Sequence, residues 1–277
     1  KTKGFETTLS WKQTTSRGLR YGLSLVFSDY ISTITKYDNP KGVLSDYYVG
    51  MKLGEIWGFE TAGLFKSDEE AQALDQSEIS GHQFLAGDIK FNDINNDKKI
   101  TRGSQTLADH GDLKIIGNTT PRYSYGFRAN ADWKGFDITV FFQGIGKRDI
   151  MPNSIYFLQH YTSEWAVPQK INSDYWRPDN QDAYFPRARI GNAPEITLPQ
   201  TRFLQNAAYI RLKQLTLGYS IPQVLLTRFN INNIRVYFSG NNIWTSTKML
   251  DIFDPEASAT NVYPLTRSFS LGMNLTF

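Results

Sequence analysis

The sequence has 277 residues, 40% of them hydrophobic, with no cysteine and a formal net charge of +3, which is enough for one large domain or two ordinary ones with a real core. Without cysteine there is no disulfide framework, thiolate metal site or cysteine nucleophile. The basic residues are spread along the chain, so no concentrated positive patch exists to drive counterion release from a nucleic acid.

No stretch approaches the ~20 apolar residues a helix needs to cross a bilayer, and the mean hydropathy is −0.42. A barrel of strands is still compatible with these values, because only alternate residues of a spanning strand face lipid. Aromatic residues make up 14% of the chain, with 15 Tyr, 18 Phe and 6 Trp, as in proteins that carry aromatic girdles at membrane interfaces. The opening KTKGFETT is not a signal peptide, so any export signal is expected to be removed or to lie outside this sequence.

The first alternating run is 4 to 12, with Phe5, Thr7, Leu9 and Trp11 on one face. The next places Leu19, Tyr21, Leu23, Leu25 and Phe27 against Arg20, Gly22, Ser24 and Ser28, with Val26 as the exception. Each has the period of two that marks a strand with unlike faces, and each approaches the ~9 to 11 residues of a tilted membrane strand. The segment 31 to 122 is long. It has room for a further hairpin near 48 to 57 and 87 to 92, and Ser67 to Glu70 reads as a capping box opening a short helix, SDEEAQALDQ.

Alternation returns at Tyr123, Tyr125, Phe127, Ala129, Ala131 and Trp133, and again after residues 134 to 135 at Phe136, Ile138, Val140 and Phe142. Residues 144 to 205 are a second long connection. In 206 to 219 the apolar phase slips from Ile210 and Leu212 to Leu215, Leu217 and Tyr219, which predicts a β-bulge near Lys213. A strand over 233 to 244 follows, then a third long connection, 245 to 266. The chain ends in the clearest run of all, Phe269, Leu271, Met273, Leu275 and Phe277, set against small or polar residues.

Seven strands are therefore expected. Their connections alternate between short (13 to 18, 134 to 135, 220 to 232) and long (31 to 122, 144 to 205, 245 to 266). Outer-membrane barrels have this asymmetry, with short periplasmic turns and long extracellular loops, and it leaves Phe277 on the periplasmic side. Seven strands give an open edge in lipid, where unpaired backbone is not tolerated, so further strands are expected from sequence beyond these residues. The same alternation also fits a soluble, surface-exposed β-sandwich ligand-binding module, whose two sheets would pack face to face.

Several segments, in order, resemble the SusC/RagA-type TonB-dependent transporters of the Bacteroidota outer membrane: GDIKFNDINNDKKI (87 to 100), IIGNTTPRYSYGF (115 to 127), DWKGFDITVFFQGIGKRD (132 to 149), YWRPDN (175 to 180), NAAYIRLKQLTLGYSIP (206 to 222), VYFSGNNIW (236 to 244), DPE (254 to 256) and the terminal LGMNLTF. The resemblance implies an all-β fold, with residues 1 to 277 the C-terminal segment of a roughly 22-stranded barrel. It further implies that the plug and N-terminal extension are absent from this chain. The family imports oligosaccharides, peptides or similar nutrients with a SusD-like surface lipoprotein, and it couples to TonB through the missing N-terminal part. The three long connections would then meet lipoprotein and substrate, with no catalysis.

Individual residues offer few chemical sites. Asp93, Asn95 and Asp97 have the spacing that opens a calcium loop, and the Lys99 carbonyl continues it. Position six is Lys98 rather than glycine and position twelve is Ser104 rather than glutamate, so only a structural Ca2+, helped by Asp109 or Asp112, is considered; no cofactor is required. Trp57, Trp165, Tyr175 and Trp176 fall in long connections, where they would stack on sugar rings, meet a lid protein or simply pack. Trp11 and Trp133 sit at expected periplasmic strand ends as girdle residues. The three histidines, His82, His110 and His160, are isolated, and no HExxH, GxSxG or Walker motif accompanies them. A barrel enzyme would have to assemble its site from distant loops.

Overall fold

The structure, a computed structural model, describes residues 1–152, 157–158, 170–189, 193–227, 231–257 and 265–277. In chain order its strands are β1 (Thr2–Thr14), β2 (Arg20–Ser32), β3 (Glu55–Phe59), β4 (Thr61–Leu64), β5 (Ile89–Phe91), β6 (Leu113–Asn118), β7 (Arg122–Trp133), β8 (Phe136–Lys147), β9 (Asp149–Ile150), β10 (Gln205–Asn206), β11 (Tyr209–Ser220), β12 (Asn233–Thr247) and β13 (Ser268–Thr276). Seven of these form one antiparallel sheet in the order β1-β2-β7-β8-β11-β12-β13. They coincide with the seven alternating runs of the sequence.

Each long strand pairs with its nearest long neighbours in the chain, which makes the sheet an up-and-down meander. One row of paired residues crosses six strands as Leu9, Leu25, Phe127, Phe142, Leu212 and Trp244. A row on the opposite side contains Ser24, Arg128 and Phe141, paired to Gln214 and Asn241. Side chains alternate across a strand, so in-register pairing carries the two-residue pattern of every strand onto two continuous faces. The slip near Lys213 is a register shift between Leu212 and Gln214 in both pairings of β11. The extra residue keeps Leu212 and Leu215 on the apolar face while Arg211 and Gln214 share the polar one.

The apolar face is bare. Leu9 is 61% exposed, Leu23 42%, Phe136 62%, Phe269 60% and Leu271 79%. A sandwich would bury these residues under a second sheet; among the described residues none covers them, so the sandwich expectation is set aside. No described helix is long and apolar enough to cross a membrane.

The buried core lies elsewhere, in a layer made by the long connections. Phe59, Ile89, Phe91 and Ile100 from the first pack with Phe157, Phe185, Ile196 and Phe203 from the second, and Leu250 and Phe253 from the third close over them. Three small two-stranded sheets, β3 with β6, β4 with β5 and β9 with β10, frame this layer. The expected hairpin over 48 to 57 and 87 to 92 is not an extra spanning pair. Strands do form there, but β3 pairs with β6 and β4 with β5, and runs of five and three residues are too short to cross a bilayer.

The Ser67 cap is present, its hydroxyl accepting from the Glu70 amide at 3.2 Å, and the Glu70 carboxylate reaches back to the Lys66 amide at 2.7 Å. The helix itself, α1 (Asp68–Gln72), is shorter than expected. The backbone leaves it to make a parallel bridge between Asp75 and Lys99.

Candidate functional site

The polar face of the large sheet is built from the residues that alternate with the apolar ones, and its charges are largely paired. Arg235 grips Asp137 in a two-point contact, at 2.8 and 2.6 Å, with Gly218 between their strands leaving the space. Arg20 lies 3.8 Å from Asp132 at an exposed end. Near the loop layer the bulge brings Arg211 and Lys213 to the same third connection: Arg211 donates to Asp254 at 2.8 Å and Lys213 to Glu256 at 3.1 Å. Arg211 and Asp254 are both buried, where a charge persists only if it is paired. This end of the polar face is thus locked to the loop carrying the DPE sequence.

Between these clamps the face opens into a recess of about 480 Å³, lined among others by Ser24, Ser28, Ser124, Arg128, Phe141 and Gln143. The Arg128 guanidinium lies over the Phe141 ring at 5.2 Å. Among the described residues Arg128 forms no ion pair, unlike Arg20, Arg211 and Arg235 on the same face. Hydroxyls, an amide and one stacked cation over an aromatic ring can hydrogen-bond a polar solute and contact its apolar face. Sequence reasoning missed this recess, although Ser24 and Ser28 were visible as polar partners in the second alternating run.

The aromatic residues singled out in the long connections are held by packing. Trp57 donates from Nε1 to the Tyr48 hydroxyl at 3.0 Å, and its ring lies 5.6 Å from that of His110. Tyr175 packs on the loop-layer core and carries the Arg177 guanidinium 5.0 Å above its ring. Trp176 lies directly on Gly87, which has φ +86 and no room for a Cβ. Tyr175 and Trp176 are neighbours, Trp57 stands apart from them, and Trp165 lies outside the described residues.

Asp93, Asn95 and Asp97 are gathered by a tight turn. The Asp93 carboxylate accepts from the amides of Asp97 (3.2 Å) and Lys98 (2.7 Å), and Asn95 Nδ2 donates to Asp97 Oδ2 at 2.8 Å. Asp112 is buried and accepts from the amides of Ile94 and Thr101 at 2.8 Å, while Asp109 accepts from Ser104. Both are therefore spent on loop closure. Among the described residues no group of three or more His, Asp or Glu side chains is placed to hold a metal.

The two described histidines, His82 and His110, have separate partners. His110 packs against Trp57, and His160 lies outside the described residues. His82 stands between Ser80 Oγ, 2.6 Å from Nδ1, and Glu195 Oε1, 3.6 Å from Nε2. That row of hydroxyl, imidazole and carboxyl is sealed, with Ser80 5% and Glu195 2% exposed, so no substrate reaches it. Burial pushes the Glu195 carboxyl up to about 7, Asp88 adding to the rise and Arg189 opposing it. The contact ties 77–88 to 193–203 within the loop layer, alongside the two-point pairing of Arg189 with the buried Asp88.

No family model matches the chain. It is 28% identical over 243 residues to TonB-dependent receptor P3 of Formosa agariphila, covering 82% of this chain and 22% of that protein. Receptor P26 of the same organism is 27% identical over 249 residues, 83% of this chain and 23% of its own length. Among solved structures, the RagAB peptide transporter superposes over 100% of this chain and 29% of its own with a TM-score of 0.69 at 23% identity. The RagAB peptide importer in its open-open state does so with the same score at 24% identity. The chain thus spans between a fifth and a third of the relatives it matches, and the likeness read from its residues has counterparts in sequence and in fold.

Proposed function

We propose that this chain, a relative of the TonB-dependent receptors of SusC/RagA type, forms part of the barrel wall and extracellular loop layer of an active nutrient importer of the Gram-negative outer membrane. The observation that carries the reading is the two-faced meander: a bare apolar face, an ion-paired polar face, and the described parts of the three long connections packed into one layer. Such a wall separates lipid from an aqueous lumen. The bare side chains stand in lipid, the recess at Arg128 faces the passage, and the loop layer stands outside the cell. The relatives are named receptors, and the function proposed includes no catalysis.

Finer parts of the reading are proposals of the same kind. The complete polypeptide closes a barrel of roughly 22 strands around a plug. It takes energy through TonB by way of sequence not present here, and it works with a SusD-like lipoprotein seated on the loop layer. The cargo is an oligosaccharide or a peptide; the solved neighbours are named as peptide transporters. A structural calcium at Asp93, Asn95, Asp97 and the Lys99 carbonyl is a subsidiary proposal, supported by the turn that collects those side chains. Calcium should then protect 87–117 from protease, and unchanged cleavage would remove the ion.

The deciding experiment is to extract outer membranes in mild detergent and record the intact mass of the polypeptide carrying this sequence, together with whatever accompanies it. A mass several times 31.6 kDa with a bound lipoprotein is expected. A lone chain of that mass in the soluble fraction would overturn the proposal.

A further inference from the structure

The bare apolar face is not uniform. At its short-turn end two neighbouring cross-strand rows stand apart. One is Trp133, Phe136, Tyr219 and Val236; the other is Ala131, Ile138, Leu217, Phe238 and Leu271. The side chains of both rows line a recess of about 660 Å³. Ala131 is the short member that leaves the recess open beside β7, and Phe136 and Tyr219, with ring centroids 4.5 Å apart, make a rigid wall. The recess lies on the interior strands β7, β8, β11 and β12 as well as on the edge strand β13.

Its rim carries a cation. Lys134, in the two-residue turn joining β7 to β8, holds its ammonium 4.7 Å from the Trp133 ring centroid, so the charge is held beside the recess by one of the recess's own side chains. Asp137, which also borders the recess, and Asp132 alternate with the recess side chains along their strands and are paired with Arg235 and Arg20. An apolar slot with one placed cation has the chemistry of an amphiphile with an anionic head. We propose that this recess is a specific site for an anionic phospholipid of the periplasmic leaflet, one acyl chain in the slot and the phosphate at Lys134.

The proposal rests on the membrane reading, because only a face standing in lipid meets acyl chains. The leaflet follows from the short turn, which lies at the periplasmic end of outer-membrane barrels. A flat wall exchanges its lipids with the bilayer; a slot bounded by packed rings and flanked by a charge retains one.

The test uses the complete polypeptide purified from outer membranes, exchanged into dodecyl maltoside containing phosphatidylglycerol or phosphatidylcholine, and weighed by native mass spectrometry. Wild type is expected to retain one phosphatidylglycerol in preference to phosphatidylcholine. Lys134→Gln should lower that occupancy about fivefold, the worth of one interfacial cation, and Lys134→Arg should preserve it. Ala131→Phe should abolish binding of both lipids by filling the slot. Heat-dependent gel mobility checks that each variant is folded. Equal retention in wild type and Lys134→Gln, or none by a folded wild-type barrel, overturns the site while leaving the importer reading intact. Recovery of the polypeptide in the soluble fraction overturns both.

Discussion

Glu195 is a carboxyl kept from water and only partly compensated: one of its oxygens has no hydrogen-bond partner, and burial lifts it from an ordinary 4.5 to about 7. Between those two values an unfolded segment gives up its proton while the packed layer keeps it, so stability falls as pH rises through the window and levels off above it. The difference is on the order of 3 kcal/mol. The protection factors of amides in 193–203, exchange rates divided by the intrinsic rate at each pH, should therefore fall from pH 5 to pH 8, and Glu195→Gln should make them high and insensitive to pH. Were the substituted loop to keep the wild-type pH profile, another group would be responsible. Arg189 is the complementary case. Its removal leaves Asp88, 1% exposed, as a buried charge without its partner, a loss of about 3–5 kcal/mol. Arg189→Ala should open the layer to protease near 83–89 and leave the sheet untouched.

At the level of elements, the β7–β8 hairpin is fixed by its turn. Lys134 and Gly135 both have positive φ, 49° and 87°, as a two-residue turn matched to strand twist requires. A Cβ on Gly135 would also meet the Ser220 carbonyl at 2.8 Å. Gly135→Ala should cost about 1–2 kcal/mol and slow refolding into detergent, whereas Lys134→Asn should refold like wild type. The Lys-Gly turn, the seven strands, the bulge at Lys213 and the Ser67 cap were all legible in the sequence, because each is a local pattern with a local cause. The loop layer was not. Its pairings join β3 to β6 across more than fifty residues of chain, β5 has three residues and no measurable period, and Asp88 meets Arg189 across 101 positions. Trp57, Tyr175 and Trp176 were conspicuous by type, yet composition could not tell which neighbours each would meet: Tyr48 for Trp57, Arg177 for Tyr175 and Gly87 for Trp176. The recess at Arg128 was hidden for the opposite reason: Ser24 and Ser28 looked like mere spacers between apolar residues.

Among the described residues the sheet has two free edges, since β1 pairs only with β2 and β13 only with β12. Lipid offers no substitute for missing backbone partners, and exposed edges invite association. Residues 1–277 expressed alone should aggregate in lipid vesicles and show no heat-dependent mobility, whereas the complete polypeptide should insert and become protease-resistant. A compact, monomeric and protease-resistant product from 1–277 alone would contradict the open edges.

The loop layer also dictates an order of assembly. Its core takes Phe59 and Ile89 from the connection between β2 and β7, Phe157 and Phe203 from that between β8 and β11, and Phe253 from that between β12 and β13. If strands enter the membrane from the periplasm, each of these segments must be threaded across before it can meet the others, and although the first holds a small cluster of its own around Phe65 and Phe84, the main core needs all three. The outer surface is then the last part of the molecule to become solid. A strand that fails to insert withholds its share, so the finished layer certifies that all three hairpins have crossed.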